Sequence, residues 1–190
     1  YLDITDQTHN QRLCLRGLAT IDQSRASDRV ADELVRLLFP SQWVQALESC
    51  RTDSVHCLCG KTHDLAKYAG MGSAATFPVE TLIFAACALS HAYLEEGGSP
   101  WDDRRAIRGW LDRQAESDSW GFYGDDAVVP CNLAETVSQG FKEWGFIPNL
   151  EKSYTAPARF RESCGVMAAF IHNQWVEISP VRFSSWPSRT

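Results

Sequence analysis

Hydrophobic positions recur along this chain at two spacings, and the switches between them lay out its elements. Val30, Leu34, Leu37 and Leu38 recur at helical spacing behind Ser27 and Asp28, which suit a helix cap. That spacing predicts a helix running to Phe39 and stopped by Pro40. Val79, Leu82, Ile83, Ala86, Leu89 and Tyr93 predict a longer helix with Pro78 in its first turn and one face in the core. Gly97-Gly98-Ser99-Pro100 marks a loop, and Ile107, Trp110 and Leu111 then predict an amphipathic helix. Leu133 to Trp144 reads as another, ended by Gly145 before Pro148. Strand signals are shorter. Ala19-Thr20-Ile21 is a β-type run, Val55 to Cys59 alternates with a return arm over 62–68, and Trp120-Gly121-Phe122 faces Ala127-Val128-Val129 across a tight polar turn. The segment up to about Arg16 is polar. The expected fold class is α+β, an antiparallel sheet packed against helices.

The turn at Tyr123-Gly124-Asp125-Asp126 holds the most informative chemistry. Gly124 permits the tight turn, and two adjacent carboxylates are expected exposed at the apex of the hairpin, where like charges side by side require a cation. An ordinary Gly-Asp turn with solvated acids would give the same letters, so support is needed elsewhere. Asp22 supplies it, because it ends a short β run, and Asp28 follows six residues later. Strands about a hundred residues apart can pair side by side, which would bring Asp22 to Asp125 and Asp126. Mg²⁺ takes oxygen ligands, keeps several waters and needs few protein carboxylates, so these three suffice for a two-ion site in which Mn²⁺ could substitute.

Further along, Gly70-Met71-Gly72-Ser73-Ala74-Ala75-Thr76 is a small-residue loop that lets backbone approach a ligand closely before the long helix starts. With Leu2 to Leu13, Ala19 to Asp28, Gly70 to Glu80, Tyr123 to Asp126, Trp144 to Tyr154 and Phe160 to Gly165 in this order, the chain resembles the replicases of single-stranded RNA bacteriophages. These are the levivirus-type RNA-dependent RNA polymerases related to the Qβ replicase catalytic subunit. Ala19–Asp28 looks like polymerase motif A, Gly70–Glu80 like motif B, Tyr123–Asp126 like motif C, Trp144–Tyr154 like motif D and Phe160–Gly165 like motif E.

The resemblance implies a polymerase palm over 1–190, with part of the fingers connection at about 43–69 and the full fingers and thumb absent. It implies RNA-directed RNA polymerisation of a phage genome in the cytoplasm of the infected host. Ribonucleoside triphosphates would be joined to a growing RNA 3′ end with release of pyrophosphate, and partners would be template and product RNA and host elongation factors Tu and Ts. Asp22, Asp125 and Asp126 become the catalytic metal ligands. Asp28, Gly72, Ser73 and Thr76 are expected near the incoming nucleotide and its ribose, although the Qβ-like pattern has Asn-Gly where this chain has Ser73-Ala74. Lys152 is the candidate general acid for the departing pyrophosphate, with Lys142 a helix-surface rival. The motif E turn would lie beneath the primer strand, and Cys164 within it is expected to be unreactive.

Composition adjusts this picture in three places. At 190 residues with 44% hydrophobic content the chain can bury one core, and no apolar run is expected to span a membrane. It starts without Met and ends at Thr190 without an obvious terminator, so both ends are expected to be truncations. A formal charge of −6 is awkward for a protein that holds a polyanion, and is accounted for if the basic fingers and thumb lie outside this piece. Seven cysteines, an odd number without regular spacing, suit a reducing cytosol. Cys50, His56, Cys57, Cys59 and His63 invite a zinc reading, but the spacing is non-standard, and alternation sends His56 to the face opposite Cys57 and Cys59. Arg104, Arg105 and Arg108 are expected on a solvated helix face rather than on RNA. Two other functions fit the same residues: a reverse transcriptase, and a non-catalytic RNA-binding palm remnant.

Overall fold

Val128 and Val129 are fully buried and Ala127 nearly so, a continuous apolar run of the kind that sits inside a sheet rather than at its edge. In the computed structural model, which describes residues 2–179, that run is strand β5 (Asp126–Val129). It lies between β1 (Ala19–Ile21) and β4 (Gly121–Tyr123), with both pairings antiparallel. The register Ala19↔Val129, Thr20↔Val128, Ile21↔Ala127 joins segments more than a hundred residues apart, as the sequence led us to expect. The far edge of β1 is also occupied. Thr20 and Tyr154 exchange backbone hydrogen bonds of 3.0 and 2.8 Å, and the Ser24 N–H donates to the Ile147 carbonyl at 2.8 Å.

Against this sheet packs the long helix α4 (Thr76–Glu95), with α6 (Ala134–Glu143) across it; α1 is Thr8–Leu15, α2 Asp32–Leu38, α3 Ser41–Ser49 and α5 Arg104–Ser117. Phe84 joins α4 to Phe141 and Phe146 through edge-to-face ring contacts at 5.7 and 4.8 Å. A two-stranded hairpin, β2 (Ser54–His56) and β3 (Thr62–Asp64), stands apart from the sheet. A second three-stranded sheet of β6 (Phe160–Ser163), β7 (Val166–Ile171) and β8 (Gln174–Ile178) packs on α1. Buried Arg161 in β6 fastens this sheet to the approach to β1, donating to the Gly17 and Leu18 carbonyls at 3.2 and 2.8 Å. The architecture is therefore α+β. All seven cysteines are free.

Several expectations need correction. The polar N-terminal segment forms α1, with Leu13, Cys14 and the amide of Asn10 buried. Helix α2 buries Val35 and packs Leu34 against the core but leaves Leu37 79% exposed, and Val30 is buried ahead of the helix. Helix α4 also turns differently. Val79 and Ile83 are buried as expected, but Leu82 is 41% exposed, and the core takes Phe84, Cys87, Ala88 and Ala92 instead. An almost wholly apolar helix gives periodicity little contrast to work with. For the same reason this 20-residue helix is, by length and composition alone, apolar enough to cross a membrane, contrary to expectation, although half of its apolar window is buried inside the protein. The domain span expected over 1–190 includes residue 1 and residues 180–190, which lie outside the described residues.

Candidate active site

The candidate site forms where β1 and the β4–β5 hairpin end together. Strand β1 stops at Ile21 opposite Ala127, so the next residue, Asp22, continues the register to a position across from Asp126. Asp126 is itself the first residue of β5 and pairs with Tyr123, which leaves Gly124 and Asp125 as the two-residue turn. Gly124 is required there on two counts. Its φ is +61°, and a Cβ would sit 2.5 Å from the Phe77 ring. The Gly124 N–H donates to the Thr81 hydroxyl at 2.9 Å, and Phe77 packs edge-on against Tyr123, so helix α4 seats the turn from below. The acids are consequently not exposed at an open apex as expected; Asp125 and Asp126 are both partly buried.

The two adjacent acids have different surroundings, Asp125 in the turn and Asp126 at the start of β5. Asp126 turns toward the second sheet and accepts the Cys164 N–H at 3.0 Å, while its own carbonyl accepts the Asn10 side-chain amide at 3.0 Å. Asp125 faces the charges of Asp22 and Lys152. Burial raises the Asp125 carboxyl above its ordinary range, with Asp22 adding to the rise and the Lys152 cation opposing it. Asp126 is raised chiefly by burial too, held down by the Cys164 N–H and pushed up by Asp125 and Asp22. Burial is the main cause at both acids, and the like charge of their neighbours adds to it. The three are spread wider than one ion's shell: among the described residues the only three His, Cys, Asp or Glu ligand atoms lying within 4.8 Å of one another are those of Cys57, Cys59 and His63. Carboxylates converging on one edge with unbalanced charge fit Mg²⁺, which takes one or two of them and completes its shell with water and phosphate oxygens.

Asp22 is positioned by residues that sequence reasoning left without a role. Its carboxylate accepts the Asn149 side-chain amide at 3.0 Å, its carbonyl accepts the Asn149 N–H at 2.9 Å, and its own N–H donates to the Ser153 hydroxyl at 3.1 Å. Asn149 and Ser153 bracket Lys152, whose N–H closes a turn onto the Asn149 carbonyl at 3.1 Å. The segment that holds Asp22 therefore also delivers Lys152, which is solvent-exposed. Lys142, the rival, lies in the last turn of α6. A polar residue three positions ahead of a candidate lysine was the one available signal, and it is weak.

Glu80 was also missed. It sits on α4 only 7% exposed, one carboxylate oxygen has no hydrogen-bond partner among the described residues, and burial followed by the Asp125 charge pushes its pKa up to about 7. In sequence it is merely an acid in an apolar helix.

The expected nucleotide-side residues are only partly gathered. Asp28 lies in a short turn of helix, 54% exposed, and is ion-paired with Lys67 at 2.5 Å. Ser73 and Gly72 sit in the loop before α4; Gly72 has φ +98° and open space where a Cβ would be. Thr76 is 8% exposed and its hydroxyl donates to the Gly70 carbonyl at 3.0 Å, so its proton is committed to shaping that loop. Cys164 is held as a thiol, its pKa pushed up to about 12 by burial and then by Asp126, which agrees with its expected inertness. Arg104, Arg105 and Arg108 are exposed along α5, the solvated face anticipated.

A family model described as RNA replicase, beta-chain, matches residues 1–100 and 105–180. Among individual proteins, the chain is 36% identical over 169 residues to the RNA-directed RNA polymerase subunit beta of Enterobacteria phage SP, an alignment covering 86% of this chain and 26% of that protein. It is 36% identical over 169 residues to the RNA-directed RNA polymerase beta chain of Enterobacteria phage GA, covering 86% of this chain and 28% of that protein. The corresponding subunit beta of Escherichia virus Qbeta is 33% identical over 169 residues, with 86% and 26% covered. The chain spans about a quarter of the length of these relatives.

Proposed function

This chain belongs to the RNA replicase beta-chain family, and from that premise we propose that it carries the nucleotidyl-transfer centre of an RNA-directed RNA polymerase. The piece corresponds to the palm, with 43–69 as part of the fingers connection. The observation that carries the reading is the β1–β5 register, which sets Asp22 across from the Asp125-Asp126 turn while Asn149 ties Asp22 to the segment bearing Lys152.

Asp22 and Asp125 would hold the divalent ions. Asp126, turned toward Cys164, would support them through water and by fixing the hairpin. Bound there, two Mg²⁺ ions would lower the pKa of the RNA 3′-hydroxyl and hold the triphosphate. The chain's own residues supply the rest. Lys152, exposed beside Asp125, faces the charge that builds on the departing pyrophosphate and can give it a proton. Asp28, paired with Lys67, and the open loop at Gly72 and Ser73 would meet the ribose, with Thr76 shaping that loop. Glu80 beneath the turn, carrying its proton over part of the neutral range, spares the site a further negative charge.

Substrates would be ribonucleoside triphosphates and an RNA template in the cytoplasm of the infected bacterium, and host elongation factors Tu and Ts would belong to the complete enzyme. The test is templated incorporation by the full-length protein, supplied with those factors and Mg²⁺, with ribonucleotides against deoxyribonucleotides and with Asp125→Asn. Ribonucleotide incorporation lost in the variant while the fold persists supports the proposal. Preference for deoxyribonucleotides, or activity surviving the substitution, would defeat it.

A further inference from the structure

Outside the candidate active site, one group of side chains has the chemistry and the placement of a soft-metal site. In the β2–β3 hairpin the register is Ser54↔Asp64, Val55↔His63 and His56↔Thr62, and the Cys57 N–H extends the ladder by donating to the Lys61 carbonyl at 2.7 Å. Alternation then puts Cys57 and His63 on the same face, and His56 on the other, where its ring lies 3.3 Å from the Thr62 hydroxyl. The chain turns at the tip, with the Gly60 N–H donating to the Cys57 carbonyl at 2.9 Å and Gly60 at φ +81°. That turn folds Cys59 back over the face that carries Cys57 and His63. The ligand atoms of Cys57, Cys59 and His63 all lie within 4.8 Å of one another.

We propose that this hairpin tip is a Zn²⁺ site, with Cys57, Cys59 and His63 as its protein ligands and the fourth position open to solvent. Two thiolates and an imidazole are a donor set that favours borderline-soft ions over Mg²⁺. Tetrahedral zinc with Zn–S near 2.3 Å would place its two sulfurs about 3.8 Å apart, so the sulfurs need to close by no more than about 1 Å. Cys59 and His63 are exposed and Cys57 partly so, which leaves rotamer freedom for that closure without backbone movement. The Cys57 sulfur already accepts the Cys59 N–H at 3.3 Å, a bond to the charged form of the kind that holds a metal-bound thiolate in place. Binding would release the thiol protons to solvent with no change of oxidation state. Cys50 and His56, which the sequence put in the same cluster, take no part.

The consequence is structural. A two-stranded hairpin with both strands largely exposed is marginal by itself, and an ion bridging its tip to β3 would staple it. The proposal does not rest on the polymerase reading, and its test needs no activity. Full-length reduced protein, stripped of metal, is titrated with Co²⁺ and then Zn²⁺ while thiolate-to-cobalt charge transfer is followed. The expected result is a band saturating at one equivalent and bleached by Zn²⁺. It should be abolished in Cys59→Ser, weakened at least tenfold in apparent affinity in His63→Ala, and unchanged in Cys50→Ser and His56→Ala. Absence of the band in wild type, or its equal loss in Cys50→Ser or His56→Ala, would overturn the assignment. Far-ultraviolet circular dichroism of each variant separates loss of the site from loss of the fold.

Discussion

The β1–β5–β4 sheet and the β2–β3 hairpin each gather three candidate ligands, and they do so by opposite means. In the sheet the acids arrive from segments a hundred residues apart, half-buried, and held by Asn149, Ser153, Asn10 and the Cys164 N–H. In the hairpin the ligands span seven residues, lie largely in solvent, and meet because of a single tight turn. A site assembled over long range cannot exist without the fold, and desolvation tunes its charges. One assembled locally barely perturbs the fold and is tuned by its ligand atoms alone.

The contrast can be broken most forcefully at Lys152. Its side chain is exposed, so Lys152→Ala should leave the melting temperature unchanged while lowering the incorporation rate roughly 10²-fold, with Lys152→Arg less impaired as a cation but poorer as an acid. An unaffected rate would remove the general-acid role. Next comes core against hairpin: Val128→Ala, at a fully buried position of β5, should cost about 1–3 kcal/mol in denaturant unfolding. Val55→Ala on β2, 44% exposed, should change stability by less than about 0.5 kcal/mol. Equal costs at the two positions would refute the distinction.

Glu80 sharpens the electrostatic side. Its pKa rises from 4.5 to about 7 on folding, so the folded state binds its proton more tightly, and stability falls as pH climbs through that interval. Glu80→Gln should therefore stabilise the protein at pH 8 by an amount on the order of 1–3 kcal/mol and make little difference below pH 4.5. Unfolding midpoints measured across pH would show it, and a variant equally shifted at all pH values would contradict the burial argument.

Much of the sheet was legible in the sequence because its signals are local and strong. Trp120-Gly121-Phe122 and Ala127-Val128-Val129 read as strands around a glycine turn, and Asp22 at the end of a β run asked to be paired with them. What escaped was whatever depends on a neighbour far along the chain. Helix α1 looks polar by its letters, yet Asn10 is buried there for the Asp126 carbonyl. Asp125 and Asp126 are indistinguishable as letters, and only the fold shows that Asp126 accepts the Cys164 N–H while Asp125, in the turn, faces the charges of Asp22 and Lys152. In the hairpin the strands and the separation of His56 from Cys57 are legible in the sequence, and spacing alone does not show that register and the tip turn bring Cys57, Cys59 and His63 together.

The central claim is that Asp22 and Asp125, set at the same end of the sheet by the β1–β5 pairing and the β4–β5 turn, act as one ion-holding unit. Asp22→Asn, Asp125→Asn and the double variant, compared in RNA-templated ribonucleotide incorporation at saturating Mg²⁺, test it directly. Each single change should cost roughly 10²–10³-fold, and the double variant should be no worse than either, because the unit is already lost. Independent, additive losses, or a folded single variant that keeps most of its activity, would contradict it.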